Sequence, residues 1–126
     1  MKLPAAALSA ALAVCTLSAA PAFADEALAK AKNCTGCHVL DQKRVGPAFK
    51  DIAARYAKQP GAVDKLVGKV LNGSVCEWSV VPMPPNKYHV NESEARELVQ
   101  WILGTNPDGS GWAKAGTPVG CSPKLN

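Results

Sequence analysis

The chain has 126 residues, 19% of them charged and 48% apolar, with 14 Lys and Arg against 10 Asp and Glu. That is the composition of one small globular domain rather than of a disordered chain. The mild positive excess contains no dense basic run, so nucleic-acid binding has no footing.

Met1 and Lys2 make a positive start, residues 3–20 are almost wholly apolar, and Ala22-Phe23-Ala24 is a small-x-small site ahead of Asp25. Residues 1–24 therefore read as an export signal peptide that is cut away. A retained membrane anchor is the competing reading, but the run is mostly alanine, carries Pro4 and Pro21, and lacks a basic stop-transfer flank. Cys15 leaves with the leader, because Val14 before it is bulkier than lipid attachment at a cysteine usually accepts. No stable membrane insertion is expected afterwards. A remainder this small needs a staple, a metal or a large cofactor to complete its core.

The next elements are expected to be helical. Residues 25–32 place acids first and lysines last, which suits the helix dipole, and are rich in alanine and leucine. After a polar loop, Gly46-Pro47 is expected to open a second helix with proline in its first turn, carrying a stripe of Phe49, Ile52, Ala53 and Tyr56 that stops before Pro60. Val63, Leu66, Val67, Val70 and Leu71 mark a third helix, closed by Asn72-Gly73. Residues 73–90 have neither a helical nor a strand period. Asn91-Glu92-Ser93-Glu94 then reads as a capping box for a last helix with Ala95, Leu98, Val99 and Ile102 on one face and Gly104 as its stop. Residues 104–126, with five glycines and three prolines, form an irregular C-terminal extension that nonetheless holds Trp112 and Cys121.

Cys34-Thr35-Gly36-Cys37-His38 is a C-x-x-C-H motif. Two thiols at that spacing can add to the two vinyl groups of a haem, and the adjacent histidine then lies under the iron. A redox dithiol would want a βαβ pattern, and structural zinc a second ligand pair; neither is present, which leaves a simple disulfide as the remaining competitor. For the iron's other axial position Met83 is the strongest candidate, since Pro82, Pro84 and Pro85 stiffen the loop that would present its soft, neutral sulfur. A gap-filling core methionine, ligation by His89, and an open iron site stay as alternatives.

With these residues in view, the chain resembles the class I c-type cytochromes, in particular the short bacterial cytochrome c-551 type. The resemblance rests on CTGCH at 34–38, VGPAFKDIAARY at 45–56, NGS at 72–74, Trp78, VPMPPN at 81–86 and the Trp101-bearing last helix. It covers residues 25–103, the expected cytochrome domain. It implies an all-α fold of about four helices around one covalently bound haem c, held by Cys34 and Cys37, with His38 and Met83 on the iron. It also implies that the Pro47 carbonyl accepts from the His38 ring, that the Asn86 amide lies near the ligand sulfur, and that the Trp78 indole donates to a haem propionate. Lys69 stands where the family commonly has an arginine beside a propionate, a point charge in place of a planar fork.

With Cys34 and Cys37 used by haem, Cys76 and Cys121 remain as a pair in an oxidising compartment. They are expected to form a disulfide pinning the tail to the Met83 loop, worth roughly 4 kcal/mol in the chain-entropy model; free thiols or an intermolecular bridge are the other outcomes. The expected function is that of a monomeric, non-enzymatic periplasmic carrier, shuttling single electrons between exported or membrane-bound redox proteins. Some of Lys30, Lys43, Arg44, Lys50 and Lys87 would ring the exposed haem edge and steer an acidic partner. The rival functions are an enzyme or gas sensor with an open iron site, and a subunit anchored by its tail to a larger oxidoreductase.

Overall fold

The computed structural model of the protein describes residues 26–109. Four α-helices follow in order: α1 (Glu26–Ala31), α2 (Phe49–Tyr56), α3 (Ala62–Asn72) and α4 (Glu92–Gly104), with a single 3-10 turn at Cys34–Gly36 between the first two. Among the described residues there is no strand, only an isolated bridge between Ser74 and Met83. The expected all-α class is thus observed. The leader and the tail beyond Gly109, with Cys15, Trp112 and Cys121, lie outside the described residues.

α4 is the central packing element, lying against α2, α3 and α1. Ala95, Leu98, Val99 and Ile102, spaced three and four apart, are all buried and join Phe49, Tyr56, Leu66, Val67 and Val90 in one core. The expected capping box is present: the Asn91 side chain accepts from the Glu94 N–H at 2.9 Å, and the Glu94 carboxylate accepts from the Asn91 N–H at 3.0 Å. Glu94 also pairs with Lys32 at 2.8 Å, and the same ammonium donates to the His89 carbonyl at 3.0 Å, so the end of α1 is fastened to the start of α4. Asn91→Ala removes the acceptor for an otherwise unpartnered helix donor. Loss of about 1 kcal/mol is expected, readable as an earlier midpoint in chemical denaturation.

One boundary differs from the sequence expectation. α2 begins at Phe49, after Pro47 and an extended Ala48 that offers no side-chain cap. Its first amides are satisfied from a distance instead, Phe49 N–H donating to Val39 C=O at 2.9 Å and Lys50 N–H to Leu40 C=O at 3.1 Å. Pro47 is therefore released from the helix, and its carbonyl is free to serve the site. After α4 the chain turns back on α2, where the Asn106 side chain donates to Lys50 C=O at 3.4 Å.

Candidate haem site

A cleft of about 1060 Å³, partly open to solvent, lies between these elements. Its inner wall is the core side of Phe49, Leu66, Leu98, Val99 and Ile102. Cys34, Cys37 and His38 line another part of it, and Met83 lies on the wall as well.

The 3-10 turn explains how the two thiols come together. In that geometry residues three apart eclipse one another, so Cys34 and Cys37 fall on one side. Asn33, in the left-handed region at φ 61°, starts the turn, and Cys37 and His38 both donate their N–H groups to Cys34 C=O, at 3.1 and 3.0 Å. The two thiols are free, not joined to each other. Burial raises the Cys34 pKa, so the group is held as the neutral thiol.

His38 is buried and stacked on Phe49, with ring centroids 5.5 Å apart, and Phe49 in turn meets Trp101 edge-on at 5.1 Å. Its Nδ1–H donates to Pro47 C=O at 2.7 Å. A carbonyl can only accept, so the proton sits on Nδ1 and the Nε2 lone pair is left available to a metal. Burial pushes the imidazole pKa down, against the pull of the Pro47 bond, and the ring is neutral at neutral pH. Gly46 lies directly against it: a Cβ there would come within 2.4 Å of His38 Cε1 and 2.7 Å of Nδ1. Gly46→Ala must push the imidazole out of its stack, costing about 1–3 kcal/mol. The thermal midpoint should fall, and the absorption spectrum should change with it.

The Met83 loop is bound to the end of α3. Ser74 and Met83 exchange backbone hydrogen bonds, 3.0 and 2.8 Å. Asn86 donates its backbone N–H to Val70 C=O at 3.1 Å, while its side-chain amide donates to Val70 and Pro84 carbonyls at 3.0 and 2.9 Å. Lys87 N–H reaches Leu71 C=O at 3.2 Å. The orphan carbonyls of the last turn of α3 thus become anchors for the loop. Gly73, at φ 76°, permits the approach, since a Cβ would lie 2.5 Å from Met83 O.

Of the other sequence candidates, Trp78 and Lys69 lie on the cleft wall, whereas Asn86 and the exposed His89 do not line it. Cys76 lines the cleft, is disulfide-bonded, and takes a left-handed φ of 58°; its expected partner Cys121 is outside the described residues. Lys30 and Lys50 are engaged by Glu26 and Asp41, while Lys43, Arg44 and Lys87 are exposed and make no ion pair among the described residues.

Sequence reasoning missed Glu77. Its carboxylate pairs with the Lys69 ammonium, accepts from Tyr56 OH at 3.2 Å and lies 3.6 Å from the Arg55 guanidinium, which also donates to Glu77 C=O at 2.9 Å. Arg55 in turn covers the Trp78 ring, 4.8 Å from its centroid. The available signal was that Glu77 is the only acidic residue between Asp64 and Glu92. The Lys69 bond, followed by the other cations, holds its pKa below the ordinary 4.5. A depressed carboxylate pKa stabilises the fold above the unfolded value, and that stability is lost as pH falls below about 4.5 through the folded value. Glu77→Gln should cost roughly 1–2 kcal/mol at neutral pH, discounted for partial exposure, and should flatten the acid limb of a stability–pH profile.

A haem fits these residues. The cleft has an apolar lining for a flat macrocycle, adjacent free thiols on one wall, and a nitrogen and a sulfur donor suited to low-spin iron. The contact between Gly46 and His38 is the kind of cradle that a ligating ring requires.

Comparison with known proteins agrees with that fit. The family described as Cytochrome c matches residues 26–106. Cytochrome c-552 of Hydrogenobacter thermophilus is 51% identical over 81 residues, 64% of this chain and 81% of that one. Cytochrome c-551 of Pseudomonas aeruginosa is 47% identical over 94 residues, 73% of this chain and 88% of the relative. Among solved structures, wild-type cytochrome c552 of Nitrosomonas europaea superposes with a TM-score of 0.63 at 46% identity, covering 65% of this chain and all of that one.

Proposed function

Since this chain belongs to the cytochrome c family, with the one covalently attached haem c and the electron-transfer activity of its relatives, we propose that Cys34 and Cys37 are the attachment residues and His38 and Met83 the axial ligands. The observation that carries this reading is one cleft lined by two free thiols, an imidazole with its Nδ1 proton tied down, and the loop-bound Met83.

The haem supplies a one-electron ferric/ferrous couple, and a neutral sulfur on the iron favours the ferrous side. Pro47 orients the His38 ring and makes it a better donor. The loop bonds of Asn86 and Ser74 would hold Met83 in place, and the apolar wall would exclude water; both would lower the rearrangement that each electron requires. Trp78 and Lys69, both on the cleft wall, would serve the haem carboxylates. With His38 and Met83 both on the iron, no position would be left for a substrate, which supports a carrier rather than an enzyme.

The carrier works in the periplasm after removal of residues 1–24; among the described residues no helix is long and apolar enough to cross a membrane. Redox proteins dock at the exposed Val45 and Val81, which line the cleft mouth, with Lys43 and Arg44 next to Val45 favouring an acidic partner. The protein acts as a monomer, and Cys76 pairs with Cys121 to bring the extension onto the Met83 loop. Oxidised and reduced absorption spectra test the assignment. A weak far-red band in the oxidised state and no carbon monoxide shift in the reduced state are expected; ready carbon monoxide binding would overturn Met83 ligation.

A further inference from the structure

Among the described residues only two formally charged side chains line the cleft, Lys69 and Glu77. The rest of the lining is apolar or neutral apart from His38. Glu77 keeps 29% of its side chain exposed, so water screens it in part. The apolar wall on its cleft side screens it less than open solvent would, and lets it act on the iron more strongly than a fully exposed charge. Glu77 is also fixed in place: Lys69 from α3 and Arg55 and Tyr56 from α2 all converge on its carboxylate.

We propose that Glu77 sets the potential of the electron-transfer site, its fixed carboxylate favouring the oxidised state and holding Lys69 and Arg55 to itself. The proposal rests on the cleft holding the haem. One electron enters and one leaves, with no bond made or broken, and the net charge of the iron centre is one unit more positive when oxidised. An anion in the wall stabilises that state and lowers the potential. By occupying Lys69, Glu77 also withholds a cation that would favour the reduced state. Both effects have the same sign, so Glu77 acts as a positioning residue for the rim cations as well as a charge in its own right.

The test is an equilibrium redox titration of the holoprotein. Glu77→Gln should shift the one-electron equilibrium three- to tenfold toward reduction, about 30–60 mV upward at 59 mV per tenfold. Glu77→Asp, which keeps the charge, should stay within twofold of the parent. A Glu77→Gln protein that keeps its far-red band and shows an unchanged potential overturns the proposal and leaves Glu77 a purely structural clasp. Should that variant lose the band, Lys69→Gln compared with Lys69→Gln combined with Glu77→Gln carries the test: the double variant must lie three- to tenfold further toward reduction than the single one, and equal potentials overturn the idea. Covalent haem in the parent protein is read separately from its pyridine haemochrome spectrum, so failure of the haem assignment is not confused with failure of the Glu77 role.

Discussion

Met83→Ala is expected to abolish the far-red band of the oxidised protein, let carbon monoxide bind the reduced protein, and lower the potential by about 0.1–0.3 V, within the roughly 0.8 V range that axial ligation spans. The loop itself should survive, because its attachments are made by backbone at Ser74 and Lys87 and by backbone and side chain at Asn86, not by the Met83 side chain. Among the described residues no second thioether, and no imidazole besides His38, lines the cleft. Met83 is the only methionine after Met1, and His89, the only other histidine, is exposed and does not line the cleft. The large effect therefore falls on the iron rather than on the fold. A far-red band that persists in Met83→Ala would transfer the ligand role elsewhere.

Cys34→Ser combined with Cys37→Ser should have the largest effect on stability. Serine hydroxyls cannot take over thioether attachment, so the variant should lose haem on gel filtration in mild denaturant. What remains is an apolar cleft bordered by Phe49, Leu66, Leu98, Val99 and Ile102, which lose every contact that a haem would make with them. The buried side chains left to hold the chain are few, the largest fully enclosed ones being Tyr56, Leu98, Val90 and Val99. So small a core depends on the contacts of the bound group, and a domain's whole stability is only about 5–15 kcal/mol. Far-ultraviolet circular dichroism should show most helicity gone and no cooperative thermal transition. A double variant with native helicity and no haem would show that the polypeptide alone suffices.

The places where sequence and structure part company have a common cause. α4 was readable to its cap because Asn91 and Glu94 satisfy each other within one turn and the apolar spacing repeats along the same helix. α2 was misread at its start because its first amides are satisfied by Val39 and Leu40, ten residues upstream, so no local signature marks the boundary. Asn86 donates its side-chain amide to the Val70 and Pro84 carbonyls and so fastens the loop that carries Met83, a role that rests on carbonyls of a distant turn. Lys69 was read against the haem alone, without the Glu77 carboxylate that engages it.

By itself the sequence determined the chemistry: two thiols and a histidine at C-x-x-C-H spacing, one methionine in a proline-stiffened loop, and helical stripes able to surround a large apolar group. Those are properties of residue type and short-range spacing, which a chain carries before it folds. Only the tertiary structure decided that Gly46 must lack a side chain beside His38, that the end of α3 anchors the Met83 loop, and that Glu77 gathers Lys69, Arg55 and Tyr56 at the cleft wall. These depend on distances between elements far apart in sequence, set by how α2, α3 and α4 pack, and no local pattern encodes them.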